Sequence, residues 1–166
     1  EQDQPAVDEL EELLKQKRLA DAAVYARRAD TSALAFAFRD AAHDYGKAFA
    51  LVERWDDDLA WNYRNLQAEA LQSFGAATAD AAALEEALAA YQSILDMLPN
   101  GERGEAWART RNNTAVVLNT LGEREEGSEN LLRARAMFEE TLPILAAAGD
   151  DESWSAAKNN IGNVLY

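Results

Sequence analysis

The chain contains no cysteine, which excludes disulfides and thiolate metal sites. It has one histidine, His43, flanked by Asp40 and Asp44. A lone imidazole leaves the serines without a triad partner and forms no HExxH or ExxH metal pattern. Only three prolines and eight glycines interrupt the chain, and strand-like runs of β-branched residues are missing. With alanine abundant, that balance predicts an all-α fold. No stretch approaches the roughly 18 consecutive apolar residues of a membrane span. Cations are scarce too: 16 Lys and Arg stand against 30 Asp and Glu, a formal net charge of −14. A phosphate backbone needs clustered Lys and Arg, so nucleic acid is not expected as a ligand. If charge selects a partner, it selects a basic one; the plainer reading is that it keeps the chain soluble. The missing cysteine chooses no compartment. A chain opening at Glu1 reads as processed or cut, and is either cytoplasmic or exported after losing a signal peptide.

What the chain does have is a repeat. Leu84, Ala87, Tyr91, Leu95 and Leu98 step along one apolar helix face. Shifted forward 47 residues, the face reads Leu131, Ala134, Phe138, Leu142 and Leu145. Shifted back 46, it reads Phe38, Ala41, Tyr45, Phe49 and Val52. A tryptophan follows each copy, at Trp61, Trp107 and Trp154. A second face then comes round at Asn65, Ala68, Leu71 and Gly75, again at Asn112, Ala115, Leu118 and Gly122, and starts once more at Asn159, Gly162 and Leu165. A fixed period of this size marks a stacked repeat array, in which small residues let helices approach and aromatics fill the wider gaps.

Seven to eight helices are expected in one domain over residues 1–166. Irregular capping helices cover 5–30, as one bent helix or two short ones breaking near 17–19, and Pro5 suits a first turn. Repeats then cover about 32–75, 80–122 and 126–166. Asp30-Thr31-Ser32 reads as a stop and an N-cap, and Asp56, Asp80 and Gly149-Asp150-Asp151 open later helices. Gly75 and Gly122 read as helix ends, Pro99-Asn100-Gly101 as a breaker, and Pro143 as a bend or an end.

Patterns that carry chemistry are weak. Asp56-Asp57-Asp58 and Asp150-Asp151-Glu152 sit before helices, where capping explains them without Ca²⁺. Gly101 and Gly104 lack the strand and the Gly-Lys-Ser/Thr ending of a phosphate loop. The reading is therefore not an enzyme, with no cofactor and no metal.

The period alone suits HEAT or armadillo repeats better than the roughly 34-residue tetratricopeptide repeat. The residues point the other way. Asn160-Ile161-Gly162-Asn163 before Val164-Leu165-Tyr166 resembles the first helix of a tetratricopeptide repeat. Ala87 with Tyr91, and Ala134 with Phe138, resemble its second helix; Gly75 and Gly122 match its turn, and Pro99 its closing proline. The loops depart from the family's short form and resemble long-repeat bacterial arrays. The likeness spans roughly residues 32–166 and is strongest in the last two repeats. It implies a right-handed α-solenoid of antiparallel helix pairs.

Opposite the core of each first helix lies a stripe. It reads Asn62, Asn65, Glu69 and Gln72, then Arg109, Asn112, Val116 and Asn119, then Asn159, Asn163 and Tyr166. The resemblance implies that these positions line a concave groove. Amides offer donors and acceptors that suit the backbone of a bound peptide or helix. The alternative is that Asn65, Asn112 and Asn159 bond to neighbouring helices and stiffen the stack. Val116 and Glu69 spoil the family's terminal-carboxylate clamp, which Arg109 and Lys158 alone do not rebuild. The expected role is a non-catalytic protein-interaction module with a protein or peptide partner. A structural scaffold, self-associating through the open C-terminal helix around Ile161, Val164 and Leu165 or joined to further domains, is the other reading.

Overall fold

A computed structural model describes the backbone of residues 4–98, 103–124 and 129–164, and side chains over 6–98, 103–124 and 129–162. Among the described residues there are seven helices and no strand: α1 (Gln4–Leu34), α2 (Phe38–Val52), α3 (Asp57–Thr78), α4 (Ala81–Met97), α5 (Glu105–Gly122), α6 (Glu129–Ala148) and α7 (Asp151–Val164). Contacts divide the chain into two compact units, Glu1–Phe74 and Gly75–Tyr166, with the boundary inside α3. In the first, α2 folds back along α1. In the second, α4 packs on α5, α5 on α6, α6 on α7, and α5 also touches α7. Consecutive packing of this kind is solenoid-like.

The repeated face is the core. Ala41, Ala87 and Ala134 are buried, as are the aromatics four residues on, Tyr45, Tyr91 and Phe138. Ala22, Ala26, Ala48, Val52, Ala60 and Tyr63 form the centre of the first unit. Around Phe138, the second unit gathers Ala115, Leu118, Ala134 and Ala157. Alanine recurs because a methyl group lets two helix backbones close up, leaving one aromatic per repeat to fill what remains.

Helix starts follow the aspartates. Asp56 Oδ1 accepts from Leu59 N at 2.9 Å, Asp80 Oδ1 from Ala83 N at 3.1 Å and Asp150 Oδ1 from Ser153 N at 3.1 Å. Each satisfies an orphan donor of the first turn.

Helix ends differ from the sequence expectation in two places, and at Pro143 only the helix-ending alternative is set aside. Asp30-Thr31-Ser32 neither stops a helix nor caps one: α1 runs through it to Leu34. The Thr31 hydroxyl donates back to Arg27 O within the helix, and Asp30 accepts from the Tyr45 hydroxyl, so both are used elsewhere. Gly75 lies inside α3, which continues to Thr78. Pro143 sits within α6, which runs on to Ala148. Pro99-Asn100-Gly101 lies outside the described residues.

The actual stops are left-handed caps. Ala37 N donates to Ser32 O, Asp80 N to Gly75 O and Asp150 N to Leu145 O, each reaching back five residues. This closure needs positive φ at the residue between, found at Phe36 (59°), Ala79 (58°) and Gly149 (74°). Only the last is the residue type the geometry favours. Ala79→Gly should therefore stabilise the fold by about 1 kcal/mol, read as a raised melting temperature.

Candidate functional site

The stripe residues fall on both units. On α3, in the first, Asn62 and Glu69 are exposed while Asn65 and Gln72 are half-buried. The Asn65 amide donates to Trp61 O at 2.9 Å, so it is engaged with its own helix. On α5, in the second, Arg109 is exposed, with its guanidinium 3.9 Å from Glu105 and 3.6 Å from Asp150. Asn119 is half-buried and donates to Glu123 Oε1 at 2.7 Å. Val116 is half-buried and packs on the Phe138 cluster. Asn159, on α7, is exposed. Asn163 belongs to α7, but its side chain, like all of Tyr166, lies outside the described residues.

Asn112 stands apart. It is only 4 % exposed, and its Oδ1 has no hydrogen-bond partner. A buried amide oxygen left unpaired is costly, of order 1–3 kcal/mol. Its register equivalents, half-buried Asn65 and exposed Asn159, sit in different surroundings, so three asparagines at one repeat position do three different things.

Within the second unit, two links join α5 and α7. Arg109 reaches Asp150, the cap of α7, and Ala157 with Ile161 packs against Ala115 and Leu118. Ile161 is thus half-buried in the core rather than bare, while the side chains of Val164 and Leu165 are outside the described residues. The first helices of two successive repeats lie in direct contact, carrying exposed Arg109 and Asn159.

Sequence reasoning missed the surroundings of the tryptophans. The Arg103 and Arg111 guanidinium groups lie 5.1 and 5.4 Å from the Trp107 ring, and both bond to Glu140, at 3.0 and 2.8 Å. Lys158 lies 4.7 Å from the Trp154 ring. Cation–π contacts like these hold half-buried indoles against their own helix. The only advance signal is a cation four residues after two of the three repeat tryptophans, Trp107 and Trp154.

The first unit holds a second polar assembly. Arg28 donates through Nε and Nη2 to both oxygens of buried Asp44, and its guanidinium lies 5.2 Å from the Tyr25 ring. Beside it opens a cleft of about 510 Å³ lined by Arg18, Asp21, Val24, Tyr25, Arg28 and Leu51. Its charges are of mixed sign, and Arg28 is already paired. Among the described residues no group of three His, Asp or Glu side chains is placed to hold a metal ion. No helix of the described residues is long and apolar enough to cross a membrane.

Asp44 is held below the usual carboxylate range by the Arg28 hydrogen bonds and charge, with His43 and Lys47 adding to the pull against the burial that opposes it. Asp150 is lowered in the same sense by Ser153 and, less, by Arg109. A carboxylate depressed in the fold contributes stability that is present above its unfolded value, about 3.9, and is lost as pH falls through the folded one. Burial raises the Tyr45 and Tyr63 phenols, so their contribution holds below about 10 and is lost as pH rises further. The melting-temperature gap between wild type and Asp44→Asn should accordingly be full at neutral pH and shrink below about pH 4. A gap independent of pH would show that the carboxylate charge does not stabilise the fold.

No protein-family model matches the chain, and no curated protein matches it significantly.

Proposed function

We propose that this chain is a tetratricopeptide-like, non-catalytic interaction module that takes a peptide or helix of a partner protein on the stripe of its first helices. The observation that carries the reading is the direct contact of α5 with α7, which sets the exposed Arg109 and Asn159 on adjoining helices of one unit. Side chains that present donors and acceptors from adjoining helices suit an extended backbone. The net charge of −14 favours a basic ligand and a salt-dependent on-rate. Asn112 serves this reading from beneath, as a buried support rather than a contact.

The test is selection of binders from a random peptide library, followed by fluorescence anisotropy with variants. Arg109→Ala and Asn159→Ala should each weaken a selected peptide about tenfold, roughly 1.4 kcal/mol, with unchanged melting temperatures. Asn112→Ala should act chiefly on stability. Peptides bound equally well by all variants would place recognition elsewhere. A library yielding no binder would overturn the reading.

A further inference from the structure

Peptide binding on the stripe does not use the cleft of the first unit. Arg18, Asp21, Tyr25 and Arg28 follow steps of three, four and three, so they share one side of α1. Leu51 lines the cleft from α2, and Val24, 57 % exposed, adds a second aliphatic side chain. Ten residues of helix set Arg18 and Arg28 about 15 Å apart along the axis. The volume, about 510 Å³, lies within the roughly 300–1,000 Å³ of small-molecule sites.

Of the three charges that line it, one is engaged and two are not. Arg28 is bound through two nitrogens to buried Asp44. The Tyr25 ring has the Arg28 guanidinium at 5.2 Å and the Lys47 ammonium at 5.3 Å. That end of the cleft is therefore fixed before anything enters it. Arg18 and Asp21 stand three residues apart, a spacing at which opposite charges on a helix can reach one another. Yet no ion pair joins them, and neither has another partner among the described residues.

A ligand of single charge is ill served here. An anion drawn to Arg18 meets Asp21 less than a turn away. A cation drawn to Asp21 meets Arg18, with Arg28 and Lys47 further along. A ligand carrying both charges has a partner for each. We infer that the cleft takes a small apolar zwitterion, either a free α-amino acid or a dipeptide. Its carboxylate goes to Arg18, its ammonium to Asp21, and its side chain to Tyr25, Val24 and Leu51. Such a ligand is neutral as a whole, so the net charge of −14 does not repel it. Both ion pairs form at an exposed surface, which sets the dissociation constant at about 1 mM.

NMR titration of the full, ¹⁵N-labelled chain decides it, with L-phenylalanine and L-alanyl-L-phenylalanine as probes. Amide shifts should centre on the residues that line the cleft and on Lys47, and the tighter probe tells free amino acid from dipeptide. N-acetyl-L-phenylalanine lacks the ammonium and L-phenylalaninamide lacks the carboxylate. Each should bind about fivefold more weakly than phenylalanine, the upper end for one exposed ion pair. Arg18→Gln should make phenylalanine and its amide bind alike, and Asp21→Asn should do the same for phenylalanine and its acetyl form. Both positions are exposed, so the melting temperature of either variant should match wild type. Three results overturn the proposal: no shift in the cleft up to about 20 mM probe, some twentyfold above the expected constant; capped forms that bind as well as phenylalanine; or variants that discriminate as wild type does. Arg109→Ala and Asn159→Ala should leave this binding unaltered, so the cleft and the stripe are tested apart.

Discussion

Phe138→Ala should cost the second unit about 3–5 kcal/mol, the range for truncating a fully buried aromatic. Phe138 has no exposed surface and lies at the centre of a cluster with Ala115, Leu118, Ala134 and Ala157, bordered by Leu88, Val116, Met137, Leu142 and Ile161. Four of those neighbours are buried, and three are alanines, which are too short to relax into the space a phenyl ring leaves. The loss therefore includes a cavity as well as the transfer of the ring to water. Phe138→Leu keeps most of the volume and should cost far less, about 1 kcal/mol. Against the roughly 5–15 kcal/mol that holds a domain together, the alanine change is a large fraction. Urea unfolding followed by circular dichroism measures it. A loss below about 1 kcal/mol would mean that the site refills, and the one-aromatic-per-repeat account of the core would fall.

That core was legible because burial imposes a period. The spacing of Ala134, Phe138 and Leu145 returns at Ala41, Tyr45 and Val52, and each of these six residues is buried. Surroundings leave no such mark. Asn65, Asn112 and Asn159 hold one repeat position, yet only Asn112 is enclosed, because enclosure depends on what packs above it. Thr31 and Asp30 have the chemistry of a cap, but a helical backbone and a tyrosine hydroxyl claim them first. The exposure of Leu10, Leu13 and Leu14 on α1 was equally hidden, because apolar spacing reads the same whether or not a neighbour covers it.

The repeat also makes a sharper claim, about glycine. A Cβ on Gly75 would lie 2.7 Å from Leu84 Cγ and 2.8 Å from its Cδ2; on Gly122 it would lie 2.7 and 2.8 Å from the same atoms of Leu131. Each leucine stands nine residues on and opens its repeat's apolar face, so one close approach is built twice. Side chains can turn away, but backbone cannot. Asp80 O at 2.9 Å from the first position, and Leu131 N at 2.9 Å from the second, fix the crowding. Gly122→Ala should thus destabilise by about 1–3 kcal/mol, overriding the modest helix preference of alanine. Gly162→Ala is the control. The sequence suggested that Gly162 also permits close approach, yet nothing lies within 4 Å of a Cβ there, and its register equivalents are already Ala68 and Ala115. The same substitution inside α7 should therefore stabilise, by about 0.5–1 kcal/mol. Opposite signs in thermal melts would establish that Gly75 and Gly122, at equivalent repeat positions, are there for contact with the next helix. Equal signs would return Gly122 to the role of a plain helix stop.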